Sequence, residues 1–169
     1  MTPQWLIFTL TKTQKSFVDG SPTGVAVALT QKAPGTKDND QKVIAYASRA
    51  LTDVESRYSQ TEREALSVYW AIKHFLLYLY GANFTIVTDH KLLEGIFNKP
   101  HSKPPARIEW WTLGFQQYTF KTRYEPGKFN PADYMSRHAL PLVHISQLSI
   151  NNPADEYVYY VVENAMPNP

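Results

Sequence analysis

The chain has 169 residues, enough for one domain with a real core, and its 43% hydrophobic and 19% charged content is that of a globular protein. It contains no cysteine, which excludes disulfides, thiolate metal sites and cysteine nucleophiles. The net charge of +2 names no partner. No apolar run reaches the roughly 18–20 residues of a membrane helix, and no secretory leader opens the chain, so an intracellular, cytoplasmic protein without membrane partners is expected.

Trp5 to Leu10 is a short apolar run, and Ser16 to Asp19 is a second that ends in a carboxylate. The segment Gly20-Ser21-Pro22-Thr23-Gly24 is dense in turn formers and reads as a hairpin turn. It is not a phosphate loop, because it lacks the Lys-Ser/Thr pair and no helix follows it. Val25 to Thr30 reads as the return strand, Lys32 to Gln41 as a polar loop and Lys42 to Ser48 as a third strand, together an antiparallel meander. Asp38 and Asp40 lack the glycine and distal glutamate of a calcium loop and are expected to be solvated.

A long helix comes next, opened by a capping box at Ser59-x-x-Glu62 or, in the alternative frame, Thr61-x-x-Glu64. Val68, Ile72, Phe75 and Leu79 form its apolar stripe, Arg63, Ser67 and His74 lie opposite, and Gly81 is the expected stop. Phe84 to Asp89 is an uninterrupted strand of the kind buried in parallel sheets. If Phe17–Asp19 and Ile86–Asp89 are parallel neighbours, both aspartates emerge at adjacent strand ends, where open α/β sheets place ligands. Short helices are expected over Lys91 to Phe97 and Ala106 to Gln116, then a fifth strand over Tyr118 to Tyr124. A last helix starts at Asn130-Pro131-Ala132-Asp133. From Leu140 onward there is no Lys or Arg, and residues 139–169 read as a linker or appendage behind a domain spanning 1–138.

Four carboxylates stand at special places in this order: Asp19 at a strand end, Glu62 or Glu64 in the first helix turns, Asp89 at a strand end and Asp133 in a first helical turn. Spacing alone does not choose between the two glutamates. An oxygen-only cluster suits hard cations such as Mg²⁺ or Mn²⁺. Two such ions about 4 Å apart activate a water and stabilise the leaving oxygen in phosphodiester cleavage. His90 follows Asp89, but successive strand residues point to opposite faces, so a structural or substrate-side place is expected for it.

The runs Ala47-Ser48-Arg49-Ala50-Leu51, Tyr58 through Leu66, Val87-Thr88-Asp89-His90-Lys91, Pro104 through Glu109 and Tyr124 through Arg137 resemble, in the same order, the ribonuclease H domain of gypsy-type LTR retrotransposon reverse transcriptases. The resemblance covers roughly Phe17 to His138. It implies an α/β RNase H-like fold, with a five-stranded mixed sheet whose first three strands are antiparallel, flanked by helices. It also implies endonucleolytic hydrolysis of the RNA strand of RNA–DNA hybrids with two Mg²⁺, or Mn²⁺ as substitute. Residue by residue it places the catalytic, metal-binding carboxylates on Asp19, Glu64, Asp89 and Asp133, which leaves Glu62 to the capping box. As partners it implies the hybrid and the polymerase and integrase regions of the same polyprotein, the tail leading towards the integrase. A virus-like particle or the nucleus joins the cytoplasm as a setting. The chain departs from the family pattern at Gly20, Leu92, Trp110 and Gly114, and no histidine lies between Arg123 and Asp133 to match the loop histidine of cellular relatives.

From His90 to His138 there are eight Lys/Arg against four Asp/Glu, so the near-neutral total conceals a basic half. Lys91, Lys103, Arg107, Lys121, Arg123, Lys128 and Arg137 are the candidates to meet phosphates. Hybrid selectivity would then rest on groove shape and 2′-hydroxyl contacts. The alternative reading is a catalytically inactive connection or host-adopted module that binds hybrid nucleic acid or a protein partner. Retention of all four carboxylates argues against it.

Overall fold

The computed structural model describes residues 13–37, 41–99 and 101–139. The apolar run at Trp5, Asp38 and Asp40, and nearly all of the expected appendage lie outside them. Five strands form one mixed sheet: β1 (Thr13–Gly20), β2 (Gly24–Lys32), β3 (Lys42–Ala50), β4 (Asn83–Thr88) and β5 (Thr119–Tyr124), in the order β3-β2-β1-β4-β5. The first three pair antiparallel, as their turn signals require, and β4 runs parallel to both β1 and β5. The register sets Phe17 opposite Val87, which brings the ends of β1 and β4 side by side.

Helix α1 (Gln60–His74) opens at Ser59, where a complete capping box forms: Ser59 accepts from the Glu62 N–H and Glu62 accepts from the Ser59 N–H. Its Val68 and Ile72 pack with Val18, Val25, Val27, Leu29 and Ile86 of the sheet in one buried cluster. Burial of such side chains, at roughly 25 cal/mol per Å² of apolar surface, is the main force holding helix on sheet. Helix α3 (Lys91–Asn98) adds Leu93, and α4 (Ala106–Leu113), entered through Pro105, adds Ile108 and Trp111, the latter stacked on Tyr69 with ring centroids 5.8 Å apart. Helix α5 (Ala132–Arg137) lies against β1 and β2.

Two expectations about the long helix are corrected. It does not run to Gly81: α1 ends at His74, Phe75 turns out of helical geometry (φ −100°, ψ 27°), and a separate turn, α2 (Leu76–Leu79), follows. Phe75 and Leu79 are buried in the core across the break, while Leu77 stays 91% exposed. Gly81 then takes φ 73°, a conformation that glycine adopts without a Cβ penalty. Ser67 is not on a solvated side but fully buried, its hydroxyl donating to the Glu64 carbonyl at 2.6 Å. Tertiary contact on both flanks of the helix overrides the polarity of that wheel position.

Candidate active site

Two strand ends and one helix start supply three acids to one point. Asp19 is the penultimate residue of β1, Asp89 follows the last residue of β4, and Glu64 lies in the second turn of α1. One carboxylate oxygen from each lies within 4.8 Å of those from the other two. The wheel's ambiguity is resolved by geometry: Glu62 is spent on the capping box and on Arg107, whereas Glu64 turns inward and is 3% exposed.

Bare backbone makes the convergence possible. A Cβ on Gly20 would stand 2.5 Å from the Arg63 carbonyl oxygen and 2.9 Å from the Glu64 nitrogen, so only glycine lets β1 touch α1 here. The Gly20 N–H donates to Glu64 Oε2 at 3.3 Å. On the other flank, a Cβ on Gly127 would stand 2.5 Å from Asp89 Oδ2, so the turn Gly127–Phe129 closes directly over that carboxylate. Asn130 fastens the same turn to β1 by donating to the Val18 carbonyl at 2.9 Å, and its Oδ1 accepts the Ala132 N–H. Gly20→Ala is expected to cost about 1–3 kcal/mol, because the added methyl meets backbone that cannot rotate away. A fall in the urea unfolding midpoint checks this, and an unchanged midpoint refutes the close approach of the two backbones.

The three acids are poorly neutralised. Burial is the largest influence on Asp19 and pushes its carboxyl up to about 6; the Ser136 hydroxyl opposes this, Asp89 and Asp133 add to it, and Arg137 draws it back. Glu64 is pushed up to about 9, first by burial and then by the charges of Asp19 and Asp89, against the Gly20 N–H and Arg63. Among the described residues none of the three forms a salt bridge. Buried carboxylates without a paired cation are costly. An all-oxygen set in which burial and mutual repulsion raise two members above the usual carboxylate range fits a divalent hard cation on donor chemistry.

Asp133 stands outside this group of three. Its side chain is 41% exposed and its Oδ1 accepts from Arg137 Nε at 3.1 Å and Nη2 at 3.0 Å, yet it lies close enough for its charge to be felt at Asp19. His90 does not join the acids either; its backbone N–H donates to Thr88 Oγ1. All seven basic candidates are exposed. Arg107 is bonded to Glu62 and lies 4.0 Å over the Tyr58 ring, Arg123 pairs with Glu125, and Arg137 pairs with Asp133. Lys91 follows Asp89 by two residues in the chain, and Lys128 sits in the turn over it with its ammonium 5.7 Å from the Phe129 ring centroid. The residues that sequence reasoning missed are those defined by contact: Gly127, Asn130 and Ser136, whose hydroxyl donates to Asp19 Oδ2. Only Gly20 carried a signal, as an unusual residue in the Asp-Gly-Ser turn.

The family model of the RNase H-like domain found in reverse transcriptase matches residues 9–118, well over half of the chain. The chain belongs to that family. It is 39% identical over 120 residues to the retrovirus-related Pol polyprotein from transposon 412 of Drosophila melanogaster, covering 70% of the chain and 9% of that protein. To the gypsy Pol polyprotein of the same organism it is 33% identical over 124 residues, covering 72% and 11%. It is thus an RNase H domain of retrotransposon Pol type, spanning about a tenth of the length of these relatives. The fold is shared with RNase H1 of Halobacterium salinarum NRC-1 (TM-score 0.51, 13% identity, 76% of this chain and 96% of that one). It is shared as well with the N-terminal RNase H domain of a Mycobacterium tuberculosis protein (TM-score 0.54, 16% identity, 76% and 93%). A third likeness is LC11-RNase H1, solved in complex with RNA/DNA hybrid (TM-score 0.53, 11% identity, 76% and 95%). The family match ends before Asp133, whose place is known here from the geometry alone.

Proposed function

We propose that this domain is an endoribonuclease that hydrolyses the RNA strand of RNA–DNA hybrids during reverse transcription, by two-metal-ion catalysis. The observation that carries the reading is the convergence of Asp19, Glu64 and Asp89 within 4.8 Å where the ends of β1 and β4 meet α1, with Asp19 and Glu64 buried, Asp89 half-buried and, among the described residues, no cationic side chain bonded to them. Mg²⁺ ions, or Mn²⁺ in their place, would supply an activated water and stabilise the leaving oxygen. Asp19, Glu64 and Asp89 hold the site, and Asp133 completes it by giving up Arg137. The protein's share of the chemistry is to hold these carboxylates oriented and close to a phosphodiester.

The exposed Lys91, Lys103, Arg107, Lys121, Arg123, Lys128 and Arg137 seat the phosphates of the hybrid. Such contacts position the duplex without reading bases, so cleavage is largely sequence-tolerant, with the 2′-hydroxyl distinguishing the RNA strand. The covalent partners in this reading are the polymerase and integrase regions of the same polyprotein, with residues 139–169 leading towards the latter; the Pol polyprotein relatives support a polyprotein setting.

The test uses the purified chain with Mg²⁺ and end-labelled RNA, either annealed to DNA or single-stranded. Cleavage of the annealed RNA only, stopped by excess chelator, is expected. Cleavage that survives the chelator, or none of a hybrid that the chain demonstrably binds, overturns the reading.

A further inference from the structure

Ser136 is fully buried in α5, and its hydroxyl faces two acceptors: Asp19 Oδ2, and the Asp133 carbonyl at 3.0 Å. A hydroxyl has one proton to donate, and the carboxylate is both the nearer and the stronger acceptor. The backbone beneath this hydroxyl is held just as firmly. The Ser136 carbonyl accepts from Ser21 Oγ at 2.8 Å and from Thr23 Oγ1 at 3.4 Å, both in the β1–β2 turn. A Cβ on Gly24 would stand 2.5 Å from that carbonyl oxygen, so the turn and α5 are in direct contact. Ser136 is thereby fixed at both ends, its carbonyl clamped by the turn that follows Asp19 and its hydroxyl on Asp19 itself.

We infer that Ser136 is a positioning residue, pinning one oxygen of Asp19 so that the other is presented to the metal. The inference rests on the site proposed above and names a residue with no metal contact of its own. Partners that orient a ligand in this way typically account for 10–100-fold in metal affinity. Helix α5 thus acts on the site from two sides. It carries Asp133 on its exposed side and, from its buried side, sets the rotamer of an acid on another element. A carboxylate so held has its orientation settled before the cation arrives, which is what preorganised sites require.

Calorimetric titration of the full chain with Mn²⁺, alongside thermal melts in chelator, tests this. Ser136→Ala is expected to weaken Mn²⁺ binding about tenfold, and to lower kcat for hybrid cleavage while leaving KM for the hybrid unchanged. In an Asp19→Asn background the same substitution is expected to change Mn²⁺ affinity no further, since the two side chains act as one unit. If Ser136→Ala melts far below wild type, Ser136→Cys, similar in size but a weak donor, is put through the same titration with the same loss expected. Wild-type Mn²⁺ affinity in a folded variant, or an equal loss with and without the Asp19 carboxylate, overturns the positioning role. A wild-type chain that binds Mn²⁺ but cleaves no hybrid sinks the nuclease reading and leaves the Ser136 comparison intact. One that binds no Mn²⁺ sinks both.

Discussion

Glu64→Gln is expected to raise the melting temperature of the metal-free chain at pH 8 by about 5 °C while abolishing Mn²⁺ binding. The opposition between the two effects follows from what the carboxyl endures when no cation is present. Glu64 is almost completely enclosed and faces the charges of Asp19 and Asp89, which, with burial, hold its pKa near 9. In the unfolded chain the same group titrates near its ordinary value of 4.5. Between those values the folded chain binds a proton that the unfolded chain does not, so stability falls as pH rises through the window. Asp19 adds a smaller loss in the same direction between 3.8 and about 6. Glutamine imitates the protonated acid without needing the proton, and its oxygen can still accept from the Gly20 N–H. Melts from pH 5 to 9 in chelator check this: the wild type declines with pH, the variant much less. Added Mn²⁺ reverses the ranking, because only the wild type gains stability from binding. A variant that melts below wild type at pH 8 in chelator refutes the electrostatic account of Glu64.

How much of this was legible in the sequence depends on whether a feature is local. The Gly20–Gly24 turn, the strand at Phe84 and the box at Ser59 are written in neighbouring residues, and the sheet order follows once Phe17 is set beside Val87. Asp19 and Asp89 were legible because each ends a strand, whereas the choice of Glu64 over Glu62 came only from the resemblance to the family. Features made by contacts between distant segments were not legible. The break at Phe75 leaves no mark on an apolar stripe that runs on to Leu79, and a serine at position 67 looks solvated until helix and sheet close over it. Gly127 reads as an ordinary turn glycine; only the position of Asp89, 38 residues earlier in the chain, shows what a side chain there would press against. Ser136 carries no signal in its own neighbourhood, since its acceptor lies 117 residues away. Among the basic residues, sequence supplies the charge but not the partner, so the engagement of Arg107 by Glu62 and Tyr58 could not be read beforehand.

Asp89→Asn should therefore be the more damaging of two superficially equivalent changes, the other being Asp133→Asn. Asp89 lies at the meeting point of the acids: its charge acts on both Asp19 and Glu64, and Gly127 presses against its oxygen. Asparagine keeps the shape that Gly127 accommodates and removes the charge, so the loss reports on cation binding rather than on packing. Cation stabilisation of the reaction is worth several kcal/mol, and each 1.36 kcal/mol is tenfold in rate, so kcat on hybrid should fall roughly 10²–10³-fold. Asp133 is half-exposed and already bonded to Arg137. Recruiting it requires breaking that pair, which offsets part of what the new ligand contributes, and Asp133→Asn should cost only about tenfold. Steady-state kcat and the Mg²⁺ concentration at half activity, measured for both variants, separate these cases. Wild-type turnover in Asp89→Asn would remove the metal site altogether. Equal damage from the two would mean that in the working enzyme Asp133 has left Arg137, and that the cation, not the guanidinium, decides where α5 directs its acid.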